Sequence, residues 1–257
     1  MNVRSRWKQY DISVLAQGHQ AHLRQKHLIR LLRSDILSME KETLIHGFAF
    51  NHYFNHDEHL ALRLDLGNRD IFHQLRGILN QLQNQLGFSP QLRQSRDWTS
   101  DNRIGESSEP VLRAYEVGSR FAFSAFEVQP DIWCSDPDMN LVCRYAASAC
   151  HDVLRSLGVE TSCQREIYLQ LAVTLRSQIG GLRVPGVDLI ESNSMVTQLT
   201  DAWYSCISKL LERERIHQDW LSDRMFLFHM CHGTMNSLGF SYQDEVRVYS
   251  SLSAILT

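Results

Sequence analysis

The chain has 257 residues, 43% of them hydrophobic and 21% charged, an ordinary globular composition with length enough for one full core or two small ones. Its net charge of −3 and pI near 6.4 supply no general pull toward nucleic acid, so a nucleic-acid partner is not expected. No apolar run is long enough to cross a membrane, the charged N-terminal stretch M-N-V-R-S-R-W-K-Q-Y-D-I has no apolar core like that of a secretory signal, and the cysteines at 134, 143, 150, 163, 206 and 231 form no C-x-x-C pair. A cytoplasmic protein with reduced, buried thiols and no membrane partner is the expectation.

Residues 7–14 alternate at Tyr10, Ile12 and Val14 and read as a first strand. Residues 19–39 carry Leu23, Leu28, Ile29, Leu31, Leu32, Ile36 and Leu37 at helical spacing. Residues 44–54 form a second strand with Phe48 and Phe50 on one face. The polar turn Asn55-His56-Asp57-Glu58 leads into a third strand at 59–66, so the pair predicts a hairpin. In that third strand His59, Ala61, Arg63 and Asp65 alternate with Leu60, Leu62, Leu64 and Leu66. The period of two predicts a strand buried on one face only, with His59 and Arg63 held in register on the other, a setting that suits an anionic or polar group. Residues 69–86 are amphipathic through Ile71, Leu75, Ile78, Leu79, Leu82 and Leu86, and Gly87 closes that helix. Residues 90–98 read as a further strand, followed by a polar loop at 101–108. Helical spacing then dominates at 109–128, 139–157, 161–179, 192–216, 220–238 and 242–256, with breaks at Gly158, Gly180-Gly181, Pro185-Gly186 and Gly239. The fold class that follows is α+β: a small, mainly antiparallel sheet with packed helices and a mostly helical C-terminal half.

The run F-N-H-Y-F-N-H-D-E-H-L-A-L-R at residues 50–63 resembles the aromatic-x-R-Y-x-D-x-x-x-H-L-R-L-R signature of the SpaB C-terminal, or thiopeptide-type bacteriocin biosynthesis, domain. Tyr53, His59, Leu60, Leu62 and Arg63 agree with it, whereas His52 and Ala61 stand where the family has Arg and Asn55 where it has Asp. A second segment, H-G-T-M-N-S-L-G at 232–239, is similar to the family's late H-M-x-x-N-R-L-x-G. Spacing to Asn236 and Leu238 places the family histidine on His232, while His229-Met230 offers the H-M pair one turn earlier; Ser237 replaces the family arginine, and Glu245 follows as a glutamate does in the family. Arg103-Ile104-Gly105 occupies the place of the family's Arg-Tyr-Gly-Gly element, with Asp97 and Asp101 the nearest substitutes for its preceding acidic residues. The resemblance covers most of the chain and implies one domain over 1–257, strand-rich to about 100 and helical from about 107.

Each candidate residue also has a plain structural reading. Arg63 could be a strand arginine paired to Asp65 or a neighbouring carboxylate, Arg103 a solvated loop cation, and His232 a satisfied histidine at a helix–helix contact. His229 and His232, three apart, share a helix face. Glu127, Asp131, Asp136 and Asp138 match no metal-ligand spacing, and His52, His56 and His59 read as polar hairpin surface rather than a zinc site. There is no G-x-x-x-x-G-K-[ST], G-x-G-x-x-G or G-x-S-x-G.

The resemblance implies an enzyme that tailors a ribosomally made precursor peptide, without cofactor or metal. One reading is a lyase of the lanthipeptide type that eliminates glutamate from glutamylated Ser or Thr to leave dehydroalanine or dehydrobutyrine, with His232 as base and Arg63 and Arg103 as cations. Tyr53, His59, His229 and Asn236 then bind substrate. The alternative is a thiopeptide pyridine synthase, joining two dehydroalanines in a formal four-plus-two cycloaddition with loss of water and leader peptide, with His59, Tyr53 and His232 orienting the amide. A non-catalytic peptide-binding partner of a split dehydratase is a second alternative, and a helical regulator outside this family a third. The expected partners are the leader and core of the precursor, a glutamylating dehydratase subunit where the activity is split, and a second copy in a homodimer. The glutamyl-transferring domain of full-length dehydratases has no counterpart here, so transfer-RNA binding is not expected.

Overall fold

The computed structural model describes residues 7–53, 58–66, 69–94, 109–128, 138–190, 193–214 and 223–256. The α+β class holds: among the described residues there are eight helices and a four-stranded antiparallel sheet, and the C-terminal half is helical. No described helix is long and apolar enough to cross a membrane. The chain divides into two compact units, Met1–Leu112 and Arg113–Thr257.

The first unit runs β1 (Trp7–Ser13), α1 (Gly18–Lys41), β2 (Gly47–Tyr53), β3 (His59–Asp65), α2 (Phe72–Leu86) and β4 (Gln91–Gln94). The sheet order is β2-β3-β1-β4 with every pair antiparallel. Strand β3 therefore sits between β1 and β2, the two strands that α1 connects, which is the split βαβ layout of ferredoxin-like folds. Residues opposite one another in register share a face. Tyr10, Leu62 and Phe50 form one such row, and Ile12, Leu60 and His52 the next. Helix α1 lies on this face, because Gln25 Oε1 is 2.7 Å from His52 Nδ1. Gly87 ends α2 in the left-handed conformation at φ 68°, where its N–H donates to Gln83.

Two expectations need correction here. The opposite face of β3 is not open to solvent: Ala61, Arg63 and Asp65 are 1% exposed or less. Alternation separates apolar from polar residues, but a polar face can also be buried when its groups bond to one another. His52 is likewise no surface residue, being 2% exposed and bonded to α1. His56 and the rest of the hairpin turn at 54–57 lie outside the described residues.

The second unit comprises α3 (Glu109–Val128), whose first turn contains the unit boundary, then α4 (Met139–Ser156), α5 (Thr161–Gln178), α6 (Ser194–Glu214), α7 (Arg224–Ser237) and α8 (Tyr242–Ile255). Four starts are capped by side chains, and at α6 Asn193 Oδ1 accepts from Val196 N–H at 3.0 Å. Asp138 accepts from Asn140 N–H at 2.9 Å, Asp223 accepts from Met225 N–H at 2.8 Å, and Ser241 with Asp244 forms a reciprocal capping box. Helix α8 packs on α4 and α5, α4 on α6, and α5 on α7. Helix α7 is buried on nearly every side, as its near-continuous run M-F-L-F-H-M-C requires. Of the cysteines, Cys143, Cys150, Cys206 and Cys231 are buried free thiols and Cys163 is half-buried, while Cys134 lies outside the described residues.

Helices α3 and α7 approach each other through glycine. A Cβ at Gly118 would lie 2.6 Å from the Thr234 backbone nitrogen and 2.7 Å from the Gly233 carbonyl carbon. These are backbone atoms and cannot swing aside. Gly118→Ala is therefore expected to lower stability by about 1–3 kcal/mol through overpacking, read as a fall in the urea midpoint. An unchanged midpoint would mean that the two helices can part at no cost.

Candidate active site

The second unit gathers a histidine, a carboxylate and two phenols. Gly233 leaves room on α7 for the ring of Tyr115 from α3, since a Cβ there would be 2.6 Å from Tyr115 Cδ1. Tyr115 thus lies against both α7 histidines, its centroid 5.8 Å from that of His229 and 6.2 Å from that of His232. The Tyr242 ring, in the first turn of α8, is 6.3 Å from His232. One turn further on α8, Glu245 Oε2 meets His232 Nδ1 at 2.8 Å. The glutamate is fully buried, while the histidine side chain keeps 15% of its surface.

Burial pushes the Glu245 carboxyl above its usual range; the charge and hydrogen bond of His232 pull it partly back, and Asp244 adds to the rise. A buried carboxylate at Nδ1 is the arrangement that orients a histidine base, in which Nε2 is the nitrogen that exchanges the proton. The other oxygen, Glu245 Oε1, is buried and has no hydrogen-bond partner among the described residues. Behind the pair lies a sealed polar core. Tyr168 and Tyr249 stack with centroids 6.2 Å apart, and the Cys150 and Cys231 sulfurs are 3.9 Å apart. Burial raises the Tyr168 and Tyr249 phenols well above normal, and for Tyr249 the Glu245 charge adds to it.

The first unit holds Arg63 on the buried polar face of its sheet. Its Nε donates to Gln9 Oε1 at 3.0 Å, Nη1 to Asn51 Oδ1 at 3.4 Å and Nη2 to the Tyr53 hydroxyl at 3.1 Å. Gln9 is directly opposite Arg63 across β1, and Asn51 and Tyr53 lie along β2 on the same face. These three groups hold the guanidinium in one orientation. Tyr53 stacks on His59, its partner in register, with centroids 4.7 Å apart and rings 8° from parallel. His59 in turn stands 3.6 Å from Asp11, and Asp11 accepts from Gln9 Nε2 at 2.8 Å. Ala61 lies opposite both Asp11 and Asn51, in the middle of this network.

The sequence candidates thus fall into two sets, each within its own unit. Arg63, Tyr53 and His59 are joined in the first. In the second, His229 and His232 share Tyr115, and Asn236 is buried one turn beyond His232. The two histidines differ: His229 is 1% exposed among Tyr115 and Phe228, whereas His232 is partly open and paired to Glu245. Ser237 is buried with its hydroxyl 3.3 Å from that of Ser119, so no cation occupies that position. Arg103, Asp97 and Asp101 lie outside the described residues.

No known family model matches the chain, and no curated protein matches it. The likeness of 50–63 and 232–239 to the lanthipeptide and thiopeptide domain therefore rests on those residues themselves. Gln9, Asn51 and Tyr115 were not among the residues singled out from sequence. Asn51 carried a local signal, since it alternates in phase with Tyr53; Tyr115 carried none, because its role depends on a glycine more than a hundred residues along the chain. Asp138, from the acidic cluster, caps α4, and among the described residues no group of three His, Cys, Asp or Glu side chains is placed to hold a metal ion.

Proposed function

We propose that the chain is a lyase that eliminates glutamate from glutamylated serine or threonine in a ribosomally made precursor peptide. The observation that carries the reading is the 2.8 Å contact between His232 Nδ1 and the buried Glu245. It gives a partly exposed imidazole whose Nδ1 is fixed by a buried carboxylate, the orientation a histidine base needs. His232 Nε2 takes the α-proton, the electron pair forms the new Cα–Cβ double bond, the ester C–O bond at Cβ breaks, and glutamate departs as its carboxylate. Such chemistry also needs a cation for developing negative charge on oxygen. Arg63, held in place by Gln9, Asn51 and Tyr53, is the residue proposed for that role. The product is dehydroalanine from serine or dehydrobutyrine from threonine.

A pyridine-forming cyclase is the second reading. It is favoured by the small, buried Ala61 and Ser237 where the resembled family carries arginines, which leaves fewer cations for elimination. Mass spectrometry of the purified protein with two peptides separates the readings. One peptide carries a glutamyl-serine, the other a pair of dehydroalanines behind a leader. Loss of glutamate from the first is the expected result. Release of leader and water from the second would replace the lyase by the cyclase, and no change in either leaves a peptide-binding partner. Under the lyase reading His232→Ala is expected to cost ~10²–10⁴-fold in rate, and Arg63→Ala ~10²–10³-fold. Full activity in both variants sinks elimination through these residues.

A further inference from the structure

Strand β4 is an edge of the sheet and, among the described residues, pairs with β1 alone. In a ladder paired on one side only, alternate backbone N–H and C=O groups point away from the partner and can receive another strand. Beside this edge, between α2 and β4, runs an open groove of about 350 Å³ lined by Phe72, Arg76, Leu79, Asn80, Pro90, Gln91, Leu92 and Arg93. Its floor is apolar, with Leu79 buried and Phe72 and Leu92 half-buried. Its rim is polar, with Arg76, Asn80, Gln91 and Arg93 exposed. Residues 72–94 contain no Asp or Glu, so both charged side chains lining the groove are positive. The exposed face of α2 is also rich in amides, with Gln74, Asn80, Gln81, Gln83, Asn84 and Gln85 in one helix.

We propose that this groove is a docking site for an extended acidic segment of a peptide, added as a fifth strand along β4. The three kinds of lining meet the three parts of such a ligand. The edge of β4 that faces away from β1 takes its backbone, the apolar floor takes every second side chain, and Arg93, on the opposite face of β4 from Leu92, takes carboxylates on the intervening residues, while Arg76 adds positive charge at the rim. A strand presents alternate side chains to one side, so a peptide that alternates acidic and apolar residues matches the groove. A compact anion has no use for the strand edge, and an apolar ligand none for the arginines. The choice of a precursor peptide as the natural occupant rests on the lyase reading; the groove itself does not.

The probe is a fluorescein-labelled decapeptide of alternating glutamate and valine, followed by fluorescence anisotropy. Three controls accompany it: the same peptide with glutamine for glutamate, the same peptide with alternate backbone amides N-methylated, and the Arg76→Glu/Arg93→Glu protein. Saturable binding is expected, weakened at least tenfold by each control, with slowed amide hydrogen exchange at Gln91–Gln94. Both arginines are exposed, so the double variant should fold as the parent does. Absence of binding, or binding indifferent to N-methylation or to the two substitutions, overturns the proposal. A peptide that binds here while glutamyl-serine peptides are never turned over would sink the lyase reading and leave the groove standing. Turnover of a glutamyl-serine peptide by a protein that ignores the probe would do the reverse.

Discussion

Glu116→Gln is expected to lower the stability of the second unit by about 3–5 kcal/mol, the range for breaking a buried ion pair from one side. Glu116 lies on α3 with no exposed surface. Its Oε1 accepts from Arg120 Nε at 2.9 Å, Arg120 Nη2 at 2.7 Å and Arg213 Nη1 at 2.8 Å. Its Oε2 accepts from Arg113 Nη1 and Arg213 Nη2, both at 2.8 Å. Arg213 is thus bidentate and ties α6 to α3, and Arg113 is itself buried. A glutamine has nearly the same shape but removes the only negative charge of this four-residue cluster and turns one acceptor into an N–H₂ group facing guanidinium donors. Shape is conserved, so the loss reports charge rather than packing.

The same cluster predicts acid lability. Burial by itself pushes the Glu116 carboxyl up, but the Arg213 hydrogen bonds and the charges of Arg120, Arg213 and Arg113 outweigh it and leave its pKa below the usual value. A carboxyl depressed in the folded state stabilises it above the unfolded carboxylate pKa, about 4.3 for glutamate, and that contribution is lost as the pH falls through the folded pKa. Urea midpoints of the parent and Glu116→Gln should therefore lie far apart at pH 7 and converge in acid. A gap that stays constant from pH 7 into the acid range would show that the variant acts through packing.

What could be read along the chain was what local periodicity controls. The leucines of β3, the phenylalanines of β2, the left-handed Gly87 and the extent of α3 at 109–128 all follow from residues within a few positions of one another. The resemblance at 50–63 also picked out Arg63 and Tyr53, which the structure joins at 3.1 Å. What could not be read was what covers each face. The odd residues of β3 looked like a solvent face because they are polar, yet Ala61, Arg63 and Asp65 are buried, and Gln9, Asn51 and Tyr53 from two other strands supply partners for Arg63 there. Glu116 has Arg113 and Arg120 as neighbours three and four positions away on its own helix, but Arg213 is 97 residues away and only the packing of α6 on α3 delivers it. His232 and Glu245 stand between these cases. They are 13 residues apart across one helix–turn–helix, close enough for the spacing to raise the pairing but not to establish which oxygen and nitrogen meet.

Glu245→Gln is expected to separate catalysis from stability. Under the lyase reading Glu245 fixes His232 so that Nδ1 donates and Nε2 accepts. Glutamine can present its N–H₂ to Nδ1 instead, which favours the opposite tautomer and occupies the base with the wrong proton. Losing the orienting carboxylate while keeping its shape costs ~10⁴-fold in kcat in the serine-protease triad, so a loss of at least ~10²-fold is expected here, with KM little changed. Stability should move the other way. Burial raises the Glu245 carboxyl, with His232 pulling partly against it. A carboxyl raised in the folded state favours folding below its unfolded pKa, and that contribution is lost as the pH rises through the folded pKa. A neutral glutamine removes this penalty, so the urea midpoint of Glu245→Gln at pH 8 should equal or exceed that of the parent. Glu245→Ala, by contrast, leaves a void beside Tyr249 and should be less stable at every pH. The ring ¹⁵N shifts of His232 supply a readout independent of turnover: Nδ1 protonated in the parent, Nε2 in the glutamine variant. Unchanged shifts together with unchanged kcat would reduce Glu245 to a core residue and take the base assignment of His232 with it.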